Sequence, residues 1–332
     1  MEIVFFHKMR YSGGMSIENS FAPLIEELKK SNDVKEYNVP FRTTWPWNLL
    51  RNIFFIRRHS TKMGVNHITG DIHYGILGLL GRKSVLTIHD DYFMRNYERG
   101  ILEKVYRWLL WIYLPIKLAD EVICITPTTK KCIQSYYNSS KLKVITHHCF
   151  KKIAYDHPKT FNSEKPQILN VGTTPNKNLK TTLKVLKNIP CKLVVLKPMN
   201  TEQKKMAEDF KIDYINKVDI PFEAVINEYN ECDIVVSPSL YEGLGMPIVE
   251  AQSAGKPVIT TNSEPMSWVA GGAALLLNDP MDVEEYEKCM MALVENEQLR
   301  EILVAKGFEN LKRFSLDEVK RQYMQVYVNL FT

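Results

Sequence analysis

Two glutamates that bracket a glycine-rich segment are the residues whose types and spacing point most directly to chemistry. Residues 237–251, which contain Glu242 and Glu250, predict a strand end, a turn with two glycines and a helix whose first residue is Pro247, with Glu250 in its first turn. A helix N-terminus offers unpaired N–H groups and a positive dipole end, which suit a phosphate. Carboxylates on either side of it can accept hydrogen bonds from sugar hydroxyls. A plain helix start, with acids placed for the dipole, is the alternative that spacing alone leaves open.

Parallel strands are needed to position these side chains, and the chain alternates short apolar runs with helix-period segments as such sheets require. Strands are predicted at 3–6, 84–88, 121–125, 143–145, 167–171, 192–196, 233–236 and 257–259. Helices are predicted over 21–28 and from about 179, 221, 247 and 315, the last behind a Ser-x-x-Glu capping box. The polar, proline-containing stretch 156–166 is typical of a linker. Ligands of two such domains are expected in a cleft outside the carboxyl ends of the strands.

Charge is divided unevenly along the 332 residues. The net charge is +5, but residues 1–160 carry +10 and residues 161–332 carry −5, and all eight histidines lie in the first part. Within the basic half, 45–59 and 104–113 interleave aromatic residues with Arg and Lys. Such segments are typical of helices that lie on an anionic membrane surface. Ordinary amphipathic helices, with a core face and cations on long stems, remain the alternative.

Composition excludes several classes of protein. With 45% hydrophobic and 24% charged residues the chain is globular, and no uncharged run approaches the ~20 residues of a membrane span. The first residues include an acid and lead into a strand-like run, so no signal peptide is expected. Six scattered cysteines without a C-x-x-C pair predict reduced thiols in the cytoplasm. No Asp-x-Asp triplet or P-loop occurs, and His147 and His148 beside Cys149 point to opposite faces of a strand, so no metal site is predicted.

Further motifs stand in a fixed order around the two glutamates. The run 171–179 reads Val-Gly-Thr-Thr-Pro-Asn-Lys-Asn-Leu, and the glycine-bearing runs 254–259 and 269–274 follow the glutamates. Gly13-Gly14 and a strand end at His89 stand in the first half. Together with the E-x7-E spacing of Glu242 and Glu250, this order resembles the retaining GT-B glycosyltransferases, family 4 in particular. The chain departs from that family's pattern at Thr173, where an arginine is common, and at 267–269.

The resemblance implies a role for each matched residue. Glu250 would bind the ribose hydroxyls of a sugar nucleotide, Glu242 would face the transferred hexose, and Lys177 would neutralise the diphosphate leaving group. His89 would lie at the acceptor side of the cleft, which makes His89, Glu242 and Lys177 the catalytic candidates. The further donor-binding candidates are Gly13, Gly14, Thr173, Thr174, Asn178, Lys217, Val218, Gly243, Leu244, Gly245 and Met246.

The architecture expected is therefore α/β of the GT-B type, with two Rossmann-like domains facing across a cleft. Residues 1–155 would form the acceptor-side domain, 156–166 the linker and 167–312 the nucleotide-sugar domain, while the helix at 313–332 would return to the first domain.

The activity expected is metal-independent, retaining transfer of a hexose from a UDP- or GDP-sugar to a saccharide or lipid-linked saccharide acceptor, in surface glycan synthesis. No cofactor and no nucleic acid partner is expected. The protein is expected in the cytoplasm, peripheral at the inner face of the membrane. A GT-B nucleotide-sugar epimerase and a non-catalytic sugar-nucleotide- or glycan-binding module are the alternatives.

Overall fold

The fold is described by a computed structural model that covers residues 1–9, 16–91, 94, 100–147 and 160–332, with side chains from residue 21 in the second of these ranges. The chain divides into two units, Met1–His148 with Phe314–Thr332, and Cys149–Arg313. Each unit holds a six-stranded sheet whose paired strands are parallel. The predicted α/β class with two Rossmann-like domains is confirmed. Residues 156–159 of the predicted linker lie outside the described residues, and 160–166 form neither helix nor strand.

The first unit is a sheet of strand order β2-β1-β3-β4-β5-β6. The strands are β1 (Glu2–His7), β2 (Asp33–Asn38), β3 (Val65–Ile68), β4 (Ser84–Ile88), β5 (Glu121–Cys124) and β6 (Leu142–Val144). The helices are α1 (Ser16–Lys29), α2 (Pro46–His59), α3 (Ile101–Arg107), α4 (Leu114–Leu118) and α5 (Pro127–Tyr136), with a 3-10 helix at His73–Leu79 and a π-helix at Trp108–Tyr113. The central strands are buried on both faces, as parallel strands covered by helices must be.

A helix from the far end of the chain completes the first unit. This helix, α13 (Leu316–Asn329), buries Val319, Tyr323 and Tyr327 in one core cluster with Phe5 and Phe21. The predicted return of this helix to the first domain is thereby confirmed. Its predicted capping box is half formed. The Ser315 hydroxyl accepts from the Glu318 N–H at 3.3 Å, while the Glu318 carboxylate instead accepts from Arg321 at 2.6 Å.

The second unit is a sheet of strand order β12-β11-β10-β7-β8-β9. The strands are β7 (Gln167–Val171), β8 (Lys192–Leu196), β9 (Asp213–Lys217), β10 (Ile234–Ser237), β11 (Val258–Thr261) and β12 (Leu275–Leu277). The helices are α6 (Leu179–Leu186), α7 (Thr201–Asp209), α8 (Phe222–Glu231), α9 (Met246–Ser253), α10 (Met266–Ala270), α11 (Val283–Glu295) and α12 (Glu297–Leu311), with a 3-10 turn at Pro175–Lys177. A second 3-10 turn, Lys312–Phe314, spans the boundary with the first unit.

Among the described residues, the free cysteines Cys124, Cys191 and Cys232 are buried in the cores of the two units, while Cys132 and Cys289 are partly exposed. Burial raises the pKa of the Cys124 thiol to about 12 and that of Cys191 to about 11. Both thiols are therefore poor nucleophiles and poor metal ligands at neutral pH. No helix within the described ranges has both the length and the apolar character needed to cross a bilayer.

Candidate functional site

The strand order of the second sheet reverses at one place. The chain runs from β7 outward through β8 to β9, then returns to the other side of β7 and continues through β10 to β12. Strands β7 and β10 are direct neighbours, so the segments that follow them leave the sheet at the same edge. Ligands of open parallel sheets bind outside the carboxyl ends of the strands at such a reversal. The residues predicted at 172–178 and 238–246 lie in these two segments.

Lys177 and Glu242 meet across this reversal point. The Lys177 Nζ lies 2.5 Å from the Glu242 Oε1, and the two side chains are 20% and 13% exposed. Ser239 Oγ donates to the same carboxylate oxygen at 2.7 Å, and the Leu240 N–H donates to the Asn176 carbonyl at 2.8 Å. The two segments are thus tied together. Because an ammonium carries three N–H donors, Lys177 can be oriented by Glu242 and still bind an anion.

Gly172 makes room for the side chain of Lys177. Its φ of +99° is open to glycine at little cost, and a Cβ there would lie 2.9 Å from the Lys177 Cγ and 3.1 Å from its Cε. The aliphatic stem of Lys177 therefore lies directly over the Gly172 backbone. A side chain at this position would have to displace the ammonium.

Glu250 is placed by α9 and held by α8. Helix α9 begins at Met246 behind Gly245, whose φ is +95°, so the predicted start at Pro247 is wrong by one residue and Glu250 lies in the second turn. The left-handed Gly245 is what allows the helix to begin there. The Tyr229 hydroxyl of α8 donates to the Glu250 Oε2. Burial raises the pKa of the Glu250 carboxyl, and the Tyr229 hydrogen bond and the charge of Lys177 oppose that rise.

The field of Lys177 therefore reaches both glutamates. One cation, two carboxylates and a buried tyrosine hydroxyl form a single electrostatic cluster at the strand ends. Around it, helix α9 begins at Met246 after the turn that holds Gly243, Leu244 and Gly245. Pro247 has no N–H and the Ile248 N–H donates to the Gly245 carbonyl at 3.0 Å, so further donors for an anion have to come from the backbone of the turn. This combination can bind an anion on its cationic side and hydroxyl groups on its carboxylate side.

The other predicted donor-binding residues of this unit have mostly structural contacts. The Thr173 hydroxyl donates to the Pro198 carbonyl and the Thr174 hydroxyl to Asn176 Oδ1, each at 2.7 Å. Asn178, in the left-handed region at φ 55°, donates from Nδ2 to the Pro280 carbonyl at 2.7 Å. These bonds fix the loop that carries Lys177.

Lys217, the last residue of β9, has its Nζ 2.5 Å from the Glu228 Oε1. Glu228 directly precedes Tyr229 on α8. Val218, which follows β9, is exposed.

His89 lies in the first unit, directly after β4. Its Nδ1 is 3.0 Å from the Nε2 of His147, which follows β6, and the two rings stack 4.7 Å apart. Phe21 of α1 packs edge-on against both rings. Burial lowers the pKa of both imidazoles, that of His147 to about 3, so both are neutral at physiological pH. The His89 Nε2 is buried and has no hydrogen-bond partner within the described residues.

Two family models match the chain. Residues 152–310 match the model described as Glycosyl transferases group 1, and residues 21–147 match that described as Glycosyltransferase Family 4. The chain belongs to glycosyltransferase family 4. The two matched stretches include every catalytic candidate, His89 in one and Lys177 and Glu242 in the other.

Relatives of this family 4 protein include two named for O-antigen synthesis. It is 33% identical to O-antigen chain mannosyltransferase B of Escherichia coli over 116 residues, which cover 35% of this chain and 29% of the relative. It is 28% identical to O-antigen chain mannosyltransferase RfbU of Salmonella typhimurium over 259 residues, which cover 72% of this chain and 68% of the relative. The matched part spans 29%, 31% and 27% of the lengths of the first three curated relatives.

Solved structures share the fold of the family 4 protein, the GT-B fold. HepE of Anabaena, solved in complex with UDP and glucose, superposes with a TM-score of 0.76 at 13% identity and covers 99% of this chain and 100% of that one. WaaG, a glycosyltransferase involved in lipopolysaccharide biosynthesis, gives a TM-score of 0.71 at 13% identity, with 98% and 99% covered.

Sequence reasoning missed three residues of the family 4 site. Gly172 carries a recognisable signal, since it follows a strand and precedes the lysine, but its contact with the Lys177 side chain is visible only in the structure. Ser239 lies three positions before Glu242 and had only its nearness as a signal. Tyr229 had none, because its contact with Glu250 depends on how α8 and α9 pack. Gly13 and Gly14 lie outside the described residues. Within the described residues no group of three or more His, Cys, Asp or Glu side chains is arranged to hold a metal ion.

Proposed function

We propose that this protein transfers a hexose from a UDP- or GDP-sugar to a saccharide or lipid-linked saccharide acceptor during the synthesis of a surface glycan. The transfer would retain the configuration at the anomeric carbon and require no metal ion, cofactor or nucleic acid. The protein would act in the cytoplasm, at the inner face of the membrane. The relatives named as O-antigen mannosyltransferases and the fold shared with HepE, whose structure holds UDP and glucose, support the substrate class.

One observation carries the proposal: Lys177, Glu242 and Glu250 form one cluster where the strand order of the second sheet reverses. A structural ion pair alone needs no third, buried carboxylate beside it. Burying a carboxylate costs free energy unless donors satisfy it, and Tyr229 supplies one donor to Glu250. The sugar hydroxyls of a ligand would supply the others.

The chemistry follows from where charge develops. When the bond between the anomeric carbon and the diphosphate oxygen breaks, negative charge grows on the leaving diphosphate and positive character grows on the sugar. The Lys177 ammonium and the backbone N–H groups of the turn at 243–245 would stabilise the leaving group. Glu250 would accept hydrogen bonds from the ribose, and Glu242, which orients Lys177, would face the hexose.

On the acceptor side, His89 is the catalytic candidate. Its buried Nε2 has no partner within the described residues, while its Nδ1 is already engaged by His147. A neutral imidazole oriented in this way can make one hydrogen bond to a substrate hydroxyl. That hydroxyl would belong to the transferred sugar or to the acceptor.

A donor screen tests the proposal. Thermal unfolding is followed with UDP-, GDP- and ADP-sugars, and a donor at about 100 times its dissociation constant should stabilise the protein by about 2.7 kcal/mol. The stabilising donor is then incubated with saccharide acceptors, and release of the nucleoside diphosphate and the anomeric configuration of the product are measured by NMR. A chelator should leave the rate unchanged.

Other outcomes identify the alternatives. Isomerised donor without acceptor would identify an epimerase, and binding without transfer or hydrolysis would identify a binding module. No stabilisation by any nucleotide sugar would overturn the assignment of the site.

A further inference from the structure

Helix α2 presents two apolar faces, of which one is buried. Leu49, Asn52 and Ile56 face the core of the first unit. On the opposite side, residues 47, 50, 51, 54 and 58 follow one another at helical spacing and are exposed. This outer stripe consists of Trp47, Leu50, Arg51, Phe54 and Arg58. Trp47 is 67% and Phe54 is 72% exposed. A helix of a monomeric globular domain normally has polar residues on its outer side.

Helix α3 extends the same surface. Its exposed apolar residues are Ile101, Leu102 and Val105, of which Leu102 is 83% exposed, and Leu109 of the π-helix that follows is exposed as well. Tyr106 turns inward and donates its hydroxyl to the Thr44 carbonyl at 3.1 Å, directly before the exposed Trp45. This bond brings α3 against the start of α2. We call the exposed residues of the two helices, together with Trp45 and Leu109, the α2–α3 face.

The part of this face that α2 contributes is positively charged. From residue 37 to residue 70 the sequence contains Arg42, Arg51, Arg57, Arg58 and Lys62 and no acidic residue. On α3, the acidic Glu103 is paired with Arg107 at 2.9 Å, and Lys104 adds a cation. Exposed tryptophan, phenylalanine and leucine therefore lie beside the arginines of α2, a helix that contains no acidic residue.

We propose that the α2–α3 face docks on the surface of a bilayer that contains anionic phospholipid. Tryptophan and phenylalanine insert at the depth of the headgroups, and arginine and lysine bind lipid phosphates. The inference deepens the proposed function, on which its biological meaning rests, because a protein held at this surface meets a lipid-linked acceptor in two dimensions.

The charge of the α2–α3 face favours a bilayer over a second copy of the chain as its partner. Two copies joined through their α2 stripes would oppose arginines to arginines, and the acid on α3, Glu103, is already paired with Arg107, which disfavours association. An anionic bilayer offers the opposite charge to the arginines and an apolar layer to the rings. One surface thus satisfies both parts of the face.

Co-sedimentation with vesicles tests the proposal without donor or acceptor, so its result does not depend on catalysis. The full chain is mixed with vesicles of phosphatidylcholine alone, or with about one third phosphatidylglycerol. Expected is pelleting with the anionic vesicles that weakens as salt is added. The double variant Trp47→Ala/Phe54→Ala and the double variant Arg51→Glu/Arg58→Glu should each weaken binding by about tenfold or more.

Matched controls come from the second unit. Phe222→Ala/Ile302→Ala removes comparable exposed apolar side chains, and Lys184→Glu/Lys205→Glu reverses two exposed cations. Neither should change vesicle binding. Nucleotide-sugar binding, followed by thermal unfolding, should be the same in all four variants and the parent, which separates this test from that of the proposed function.

Three results would overturn the proposal. They are absence of pelleting with anionic vesicles, pelleting that both α2 variants leave unchanged, and a concentration-dependent dimer in sedimentation that the α2 variants abolish while vesicles are not bound. The last would assign the face to a second copy of the chain.

Discussion

Lys177 is the residue on which the proposed departure of the nucleoside diphosphate depends most. Replacing it with alanine removes a preorganised cation and should cost about 2–4 kcal/mol of transition-state stabilisation, a loss of about 30- to 900-fold in kcat/KM. Steady-state kinetics with the identified donor measure this. The control is Lys180→Ala, which breaks an exposed ion pair with Glu202 and should leave kinetics unchanged. Full turnover by Lys177→Ala would remove Lys177 from the mechanism.

Glu250 is expected to lower the free energy of unfolding while it strengthens binding of the donor. Because burial raises its pKa above that of the unfolded chain, the ionised carboxylate opposes folding at neutral pH, and its effect on stability becomes more favourable as pH falls through the folded pKa. Glu250→Gln should therefore raise the free energy of unfolding at pH 7 and weaken donor binding. Denaturant titration and donor titration measure the two effects.

Glu285 provides a control of opposite sign. The backbone N–H groups of Asn278 and Asp279 lower the pKa of its carboxyl, so its ionised form favours folding. Glu285→Gln should lower stability at pH 7 without changing donor binding. If Glu250→Gln behaved in the same way, Glu250 would be a structural residue.

The sequence alone predicts the charged residues of the site and the glycine-containing turn. Lys177, Glu242 and Glu250 were predicted as one site from their order and spacing, and the structure brings them together. Which groups hold them was not predictable. Tyr229 contacts Glu250 from another helix, and the pairing of Lys177 with Glu242 requires β7 and β10 to be neighbours, which no local pattern encodes.

Among the elements, α13 has a buried hydrogen bond to the first unit that a single substitution can remove. The Tyr327 hydroxyl lies 2.7 Å from the His67 Nδ1 in the core of the first unit, and both residues are fully buried. Tyr327→Phe leaves that nitrogen without its partner and should cost about 1–3 kcal/mol of stability, measured by denaturant unfolding. Val328→Ala, an exposed neighbour on the same helix, is the control. Equal stability of the two variants would contradict the importance of this bond.

Strands were predictable where burial made them apolar. More than half of the residues at β4, β7 and β8 are Val, Leu or Ile, and these runs form strands over residues 84–88, 167–171 and 192–196 as predicted. The edge strands β2 and β9 were missed because their partly exposed residues are largely polar. Strand β3 was missed because its centre holds Asn66 and His67, which are buried but hydrogen-bonded. Strand β12 has three residues, too few for a pattern.

At the scale of the molecule, the two units should respond differently to acid. Burial lowers the pKa of His67 and of His147 to about 3, so the folded first unit resists protonation that its unfolded chain accepts below about pH 6.5. Its stability should fall by up to about 1.4 kcal/mol per pH unit for each such histidine. Residues 160–332 contain no histidine.

Calorimetry at pH 7 and pH 5 measures this difference. The transition of the first unit should move to lower temperature, while that of the second stays in place or rises, because Glu250 acts in the opposite direction. His67→Asn, which removes one buried imidazole, should reduce the movement. Transitions that shift together and to the same extent would contradict the unequal distribution of buried titratable groups.

The return of α13 to the first unit has a consequence for the order of synthesis. Domains generally fold as units while the ribosome delivers the chain, with the earlier one first. Here the earlier unit lacks Val319, Tyr323 and Tyr327 until the later unit has been translated. The nascent second unit can therefore fold while the first still exposes the surface that this helix later covers. A chaperone that binds the ribosome-bound intermediate would be expected to contact the first unit until residues 316–329 have left the ribosome.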